Sequence, residues 1–336
     1  MSAKAISAVH MPIATKSVLG RTSLLLAACS AFLSKIRRHG IVEVTKALAE
    51  VCFAEQPFAA LARHREVVSF FEQPSLAPLR SMPLANKYLS AYLGKNLGKV
   101  SRCEILLHHY RRIVESAVPD FFECVFTGSY LLWSREDAHG SCAIKLMFNQ
   151  PGHYEGDLSV VFMSNEQRIF DISFTIVPGY AIGSSTKELL FIARVQGAKN
   201  RFAEIKRATK TCSDVAPQHM LMLAIQSIAE ALGITAVAGV AHDNVLPNEE
   251  GEPLKFDYDG FWKNWVDRPT ARHFYEMPVP LPRTALSEIQ TGHRRRTNKK
   301  RAFKNQVGDD INVSLRAIFP ERRAMPDSLH DEHNAP

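Results

Sequence analysis

Between Lys187 and His242 the chain reads KELLFIARVQGAKNRFAEIKRATKTCSDVAPQHMLMLAIQSIAEALGITAVAGVAH, and this stretch constrains the fold more than any other. Leu189, Leu190, Phe191, Ile192 and Val195 form an apolar run too short for a helix and long enough for a buried strand, closed by Gly197. After Pro217, Met220, Leu221, Leu223, Ala224, Ser227, Ile228, Ala231 and Leu232 recur at helical spacing, with Gly233 as the stop. ITAVAGVA then has the composition of a second buried strand. A strand, a crossover with a helix and another strand make a parallel pair, because parallel neighbours need a long connection. Ligands gather at such strand ends, so function is first sought there.

On either side the pattern is different. From Thr45 to about Glu115 apolar residues at i, i+3 and i+4 predict helices over KALAEVCFAEQPFAALA, His64 to Phe71, and CEILLHHYRRIVESAV, separated by EQPSLAPLRSMP. Within the last of these, His108 and His109 point in different directions, which predicts one packed and one exposed rather than a shared metal. FECVFTGSYLLWS, CAIKLMFNQ, DLSVVFMSN and QRIFDISFTIV are short, rich in β-branched and aromatic residues and divided by turns, which predicts an antiparallel run. Asn165-Glu166 is a tight connection, so Leu158 to Ser164 and Arg168 to Val177 form an expected hairpin.

Past His242, the aromatic FDYDGFWKNWVDR is expected to plug an edge of the core or line a pocket, with packing favoured, and LSEIQTGHRRRTNKKRAFK to form a basic helix. The segment from Asp309 to Pro336 carries an apolar face only around Val313 to Phe319 and is expected to fray. The fold class is therefore α+β: an N-terminal helical layer, then a mixed, mainly antiparallel sheet with a strand-helix-helix-strand unit. The expected divisions are 1–118 helical, 119–285 mixed α/β core, and 286–336 basic helix and frayed tail.

A hydrophobic content of 46% is enough for a real core and excludes a disordered chain. The formal charge of +7 is local, because Arg294, Arg295, Arg296, Lys299, Lys300, Arg301 and Lys304 supply seven positives in one acid-free stretch. Such a patch attracts phosphates of anionic lipid or nucleic acid, or is simply a solvated helix face. Six scattered cysteines with no CxxC pair read as reduced thiols in the cytoplasm, without a zinc site. Leu26-Ala27-Ala28-Cys29 looks like a cleavage box before a lipidated cysteine, but the uncharged run between Arg21 and Lys35 is short and continues amphipathically, favouring a helix that opens the domain. No stretch has the length to span a bilayer, so membrane contact is expected to be peripheral to the inner membrane.

CEILLHHYRRI, LLFIARVQGAKNRFAEIKRATK, PQHMLMLAIQSIAEALGI with VAGVAHDN, YDGFWKNW and the basic LSEIQTGHRRRTNKKRAFK, in that order, resemble the VirK/YbjX family of bacterial proteins. The resemblance spans roughly Leu25 to Asn305; it departs at RRRTNKK, interrupted by Thr297 and Asn298, and in lacking a Tyr/Arg-rich finish. It implies an accessory role at the cell envelope, in surface localisation of a virulence factor and resistance to cationic antimicrobial peptides. It implies no reaction, cofactor or catalytic residue.

The order of elements is also similar to the core of GNAT-type acyltransferases, in which a pyrophosphate sits at a helix start. Here Ser213-Asp214-Val215-Ala216-Pro217-Gln218 stands where the glycine-rich turn belongs, and Asp214 repels phosphate. On the strand, Arg194 and Gln196 share one face, satisfied either by a ligand anion or by an internal carboxylate such as Glu204. Lys206, Thr209 and Lys210 cluster nearby, and Gln226 is placed to reach the same pocket or to be a satisfied core amide. His242, beside Asp243 and Asn244, is the candidate acid/base group. Three classes of function follow: an envelope accessory factor acting through an anionic surface at Arg294, Arg295, Arg296, Lys299, Lys300 and Arg301, a group transferase, and a nucleic-acid binder that lacks interleaved aromatics.

Overall fold

The computed structural model describes residues 57–137, 140–149, 154–247 and 256–320. Chain contacts divide the protein into Met1–Arg65 and Glu66–Pro336. The Cys29 box and the helical reading before Pro57 lie outside the described residues. Helix α1 (Pro57–Phe71) is followed by two 3-10 segments (Pro74–Leu79, Leu84–Leu89), then α2 (Lys99–Ser116) and α3 (Phe121–Thr127).

Seven strands then form one sheet in sequence order: β1 (Tyr130–Asp137), β2 (Gly140–Phe148), β3 (Leu158–Ser164), β4 (Gln167–Pro178), β5 (Glu188–Gly197), β6 (Ala236–Val240) and β7 (Phe274–Pro278). Every neighbouring pair is antiparallel except β5 and β6, which run parallel. A short α4 (Gly179–Ile182) links β4 to β5, and the crossover carries α5 (Phe202–Thr211) and α6 (Pro217–Ala231). The mixed, mainly antiparallel sheet and its strand-helix-helix-strand unit are thus as expected. The β3–β4 hairpin closes through Asn165 and Glu166 at φ 47 and 62, the left-handed pair that matches strand twist in a two-residue turn.

Two expectations need correction. FECVFTGSY does not begin a strand: Phe121, Phe122 and Val125 share one buried helical face in α3, and β1 starts at Tyr130. Nor does the chain fray at Asp309. Helix α8 (Thr291–Ile318) continues because Val307, Gly308, Ile311, Leu315 and Ile318 form a buried stripe, whereas Val313 faces solvent.

Helix α2 and the segment before it are tied to the sheet by a polar network. Asp157, fully buried at the start of β3, accepts hydrogen bonds from Lys87 Nζ (2.8 Å), Tyr110 OH (3.2 Å), Thr175 Oγ1 (2.7 Å) and Tyr92 OH. Burial would raise its pKa, but the Lys87 ammonium, the nearby His109 and hydrogen bonds from Lys87 and Tyr92 outweigh it and hold it down to about 2. His109 Nδ1 accepts the Ile176 backbone N–H at 3.1 Å, so its proton sits on Nε2. Burial lowers this imidazole to about 4. His108, by contrast, is part-exposed and bonds Glu188 at 3.2 Å, in keeping with one packed and one outward histidine.

Beyond their short pairing over Leu190–Ile192 and Val237–Gly239, β5 and β6 diverge, and α7 (Tyr258–Trp262) fills the opening. Tyr258 OH accepts the Val195 N–H at 3.3 Å, and Trp262 Nε1 donates to the Val240 carbonyl at 2.8 Å. The aromatic segment is therefore core, as its composition indicated.

Two outcomes follow. His109 binds its proton below its ordinary 6.5, at about 4, so the unfolded chain binds more protons between these values and stability falls as pH drops through that window. Urea titrations at several pH values should show a loss of which roughly 3 kcal/mol belongs to His109, so the loss across this window should be smaller by about that amount in His109→Asn; a loss of the parent's size in that variant contradicts the assignment. At Gly239 a Cβ would stand 2.3 Å from Trp262 Cε2, so Gly239→Ala should cost about 1–3 kcal/mol in the same assay.

Candidate functional site

The residues expected at the strand ends satisfy one another. Arg194 pairs with Glu155 at 3.0 Å, approaches Asp171 at 3.9 Å and donates to Gln196 Oε1. Arg194 and Gln196 are thus brought together, but the partner carboxylate is Glu155; Glu204 pairs with Arg201 at 3.1 Å. Lys206 and Lys210 lie exposed on α5, and the Thr209 hydroxyl donates to the Ile205 carbonyl at 2.8 Å, a bond within its own helix. His242 is exposed, its backbone N–H donates to Asp259 Oδ1 at 3.0 Å, and its neighbour Asp243 pairs instead with His273 at 2.5 Å. Asn244 is buried and accepts the Asn96 N–H at 2.9 Å. With Tyr258 and Trp262 in the divergence, this end of the sheet is packed.

An open cleft lies elsewhere, among α6, the Leu281–Thr284 segment and α8. It encloses about 280 Å³. Helix α8 explains its character. Thr297, Arg301 and Lys304 fall on the same heptad-like stripe as Gly308, Ile311, Leu315 and Ile318. The second half of that stripe is core, while the first half, joined by Lys300, faces the cleft. Met222 and Leu223 of α6, with Leu281 and Trp265, supply apolar lining, and Arg283, Lys300, Arg301 and Lys304 supply cations. No described residue lining the cleft is a carboxylate.

Among the described residues, the cations are held by neutral acceptors or by none. Arg283 donates to Asn305 Oδ1 at 3.0 Å, and Arg301 to the Thr284 carbonyl. Burial lowers the Lys304 pKa, and Arg283, Lys300 and Arg301 lower it further by repulsion. His219, on the first turn of α6, is brought down to about 4 by burial and then by Lys304 and Lys300. The arrangement is a positive field over an apolar floor, suited to holding an anion.

Gln226 lines this cleft rather than the Arg194 region. Its Oε1 accepts the Leu281 N–H at 3.2 Å and its Nε2 donates to Glu230 at 2.8 Å, so it pins the 281–284 segment to α6. Of the remaining basic run, Arg294 donates to the Ile289 carbonyl at 2.9 Å, Arg296 pairs with Asp214 at 2.9 Å, and Arg295 and Lys299 stand exposed. Sequence reasoning missed Arg283 and His219 as cleft residues, placed Trp265 only within an aromatic stretch for core or pocket, and counted Lys304 only as part of a charge run. The available signal was the continuation of the apolar stripe of α8 back through Lys304, Arg301 and Thr297.

Comparison with known proteins agrees with the blocks in the sequence. A curated relative, the uncharacterized protein YbjX of Escherichia coli (strain K12), is 25% identical over 239 residues, covering 68% of this chain and 69% of that protein. No solved structure matches the chain. A family model described as a protein of unknown function (DUF535) matches residues 43–312, and the chain belongs to that family, the VirK/YbjX family.

Proposed function

We propose that this protein is a VirK-like accessory factor of the bacterial cell envelope that acts by holding an anionic envelope component against α8. The observation that carries the reading is the set of cations on α8 and Arg283 with no carboxylate among the described residues that line the cleft. Around it, Arg294, Arg295 and Lys299 extend the positive surface, and Arg296 alone among these meets an acid, Asp214. The family resemblance implies resistance to cationic antimicrobial peptides and surface localisation of a virulence factor, and a protein that binds anionic envelope groups fits such roles. Among the described residues no helix is long and apolar enough to cross a membrane, and the proposed contact is through side chains at the inner-membrane surface.

A GNAT-like transferase is the second reading, supported by the parallel β5–β6 pair and its helical crossover. It requires Tyr258 and Trp262 to leave the divergence they fill. A nucleic-acid role through the 294–304 run has less support, because Phe303, the aromatic within the run, packs on Trp133 rather than presenting a stacking face.

Vesicle flotation distinguishes the first reading. The protein should float with phosphatidylglycerol vesicles and not with phosphatidylcholine, and joint Arg295→Glu and Lys299→Glu should weaken binding about tenfold or more. Equal flotation by the variant, or a stronger shift with nucleic acid than with anionic vesicles, removes the reading. Replacing His242 by Ala should leave vesicle binding unchanged; thermal stabilisation by acyl-CoA that disappears in Arg194→Ala and His242→Ala would move the balance to the transferase.

A further inference from the structure

A stripe that faces the core of a protein is normally apolar along its length. In α8 that rule holds from Gly308 to Ile318 and fails at Thr297, Arg301 and Lys304, where the same face turns toward the cleft. Half-burying several like charges together is unfavourable unless an anion accompanies them. The described residues lining the cleft supply none: the acceptors for Arg283 and Arg301 are an amide and a carbonyl. Two features narrow the missing anion. Four cations around a small volume match a doubly charged terminal phosphate better than the single charge of a phosphodiester. The surface beneath them is apolar, formed by Met222, Leu223 and Leu281 with Trp265 alongside. Free inorganic phosphate would leave that surface unused.

We infer that the cleft is a binding site for a ligand with a terminal phosphate and an apolar group attached, the phosphate meeting Arg283, Lys300, Arg301 and Lys304 and the apolar part lying on Met222, Leu223, Leu281 and Trp265. The inference rests on the anion-binding reading and narrows it from a charged surface to one cleft. Such a phosphate comes either from a lipid headgroup or from a soluble phosphate monoester, and both share this chemistry. The two-part lining also explains why Gln226 fixes the 281–284 segment to α6: the bond sets the width of the cleft.

The test uses the full chain and four probes below their aggregation limits: dihexanoyl phosphatidate, hexyl phosphate, inorganic phosphate and dihexanoyl phosphatidylcholine, read by calorimetry and thermal shift. Phosphatidate or hexyl phosphate should bind at least about tenfold tighter than inorganic phosphate, since several methylenes are buried with it, and phosphatidylcholine should not bind. Phosphatidate tighter than hexyl phosphate identifies a lipid source; the reverse order identifies a soluble one. Lys304→Gln should lose about tenfold or more in affinity while the ligand-free protein becomes no less stable, because a repelled ammonium is removed. Arg295→Glu with Lys299→Glu should keep short-chain binding. Absence of binding by all four probes, or Lys304→Gln binding as tightly as the parent, overturns the site. If vesicle flotation persists in that case, the surface reading stands and the cleft site alone falls; if the short ligands bind while vesicles do not, the site stands and membrane contact falls.

Discussion

One buried carboxylate organises the join between the helical layer and the sheet. Asp157 receives Lys87 from a 3-10 segment, Tyr92 from the loop after it, Tyr110 from α2 and Thr175 from β4. Buried charge is tolerated only when its lone pairs are filled, and here four donors from four segments fill them. Their convergence fixes how α2 lies on β4, with His109 capping an N–H of that strand nearby. β4 is buried on both faces along most of its length, which leaves the centre of the sheet to structure rather than to ligand.

The same logic separates the two polar regions at the periphery. Arg194 is matched by Glu155 and Asp171, so its charge is answered within the chain. Lys300, Arg301 and Lys304 meet no carboxylate among the described residues lining the cleft, although they are also partly buried. Charge compensation, rather than position at a strand end, marks the more open site. The divergence of β5 and β6, where an α/β sheet would ordinarily receive a ligand, is occupied by the protein's own Tyr258 and Trp262.

Much of the architecture was readable along the chain. The apolar run at Leu189–Val195, the helical periodicity after Pro217 and the Asn165-Glu166 turn each report on their own backbone, and each element formed as its local pattern required. The failures have a common cause. FECVF is apolar enough for strand or helix, and its choice of helix is made by packing of Phe121 and Phe122. The stripe that extends α8 to Ile318 contains Gly308 and is flanked by an exposed Val313, so its apolar face is weak in the sequence and decisive only once packed against α6 and β1.

The sequence by itself determined most of the elements, their order, the family and the presence of a local excess of positive charge, because all of these are properties of contiguous residues. Only the tertiary structure decided which charges remain unpaired. Gln226 moved from the Arg194 region to the α8 cleft, Arg283 and His219 joined it, and Glu155 neutralised Arg194, each across a separation that periodicity does not encode. A binding site depends on the difference between the charges brought together and those cancelled, and that difference exists only after distant segments have met.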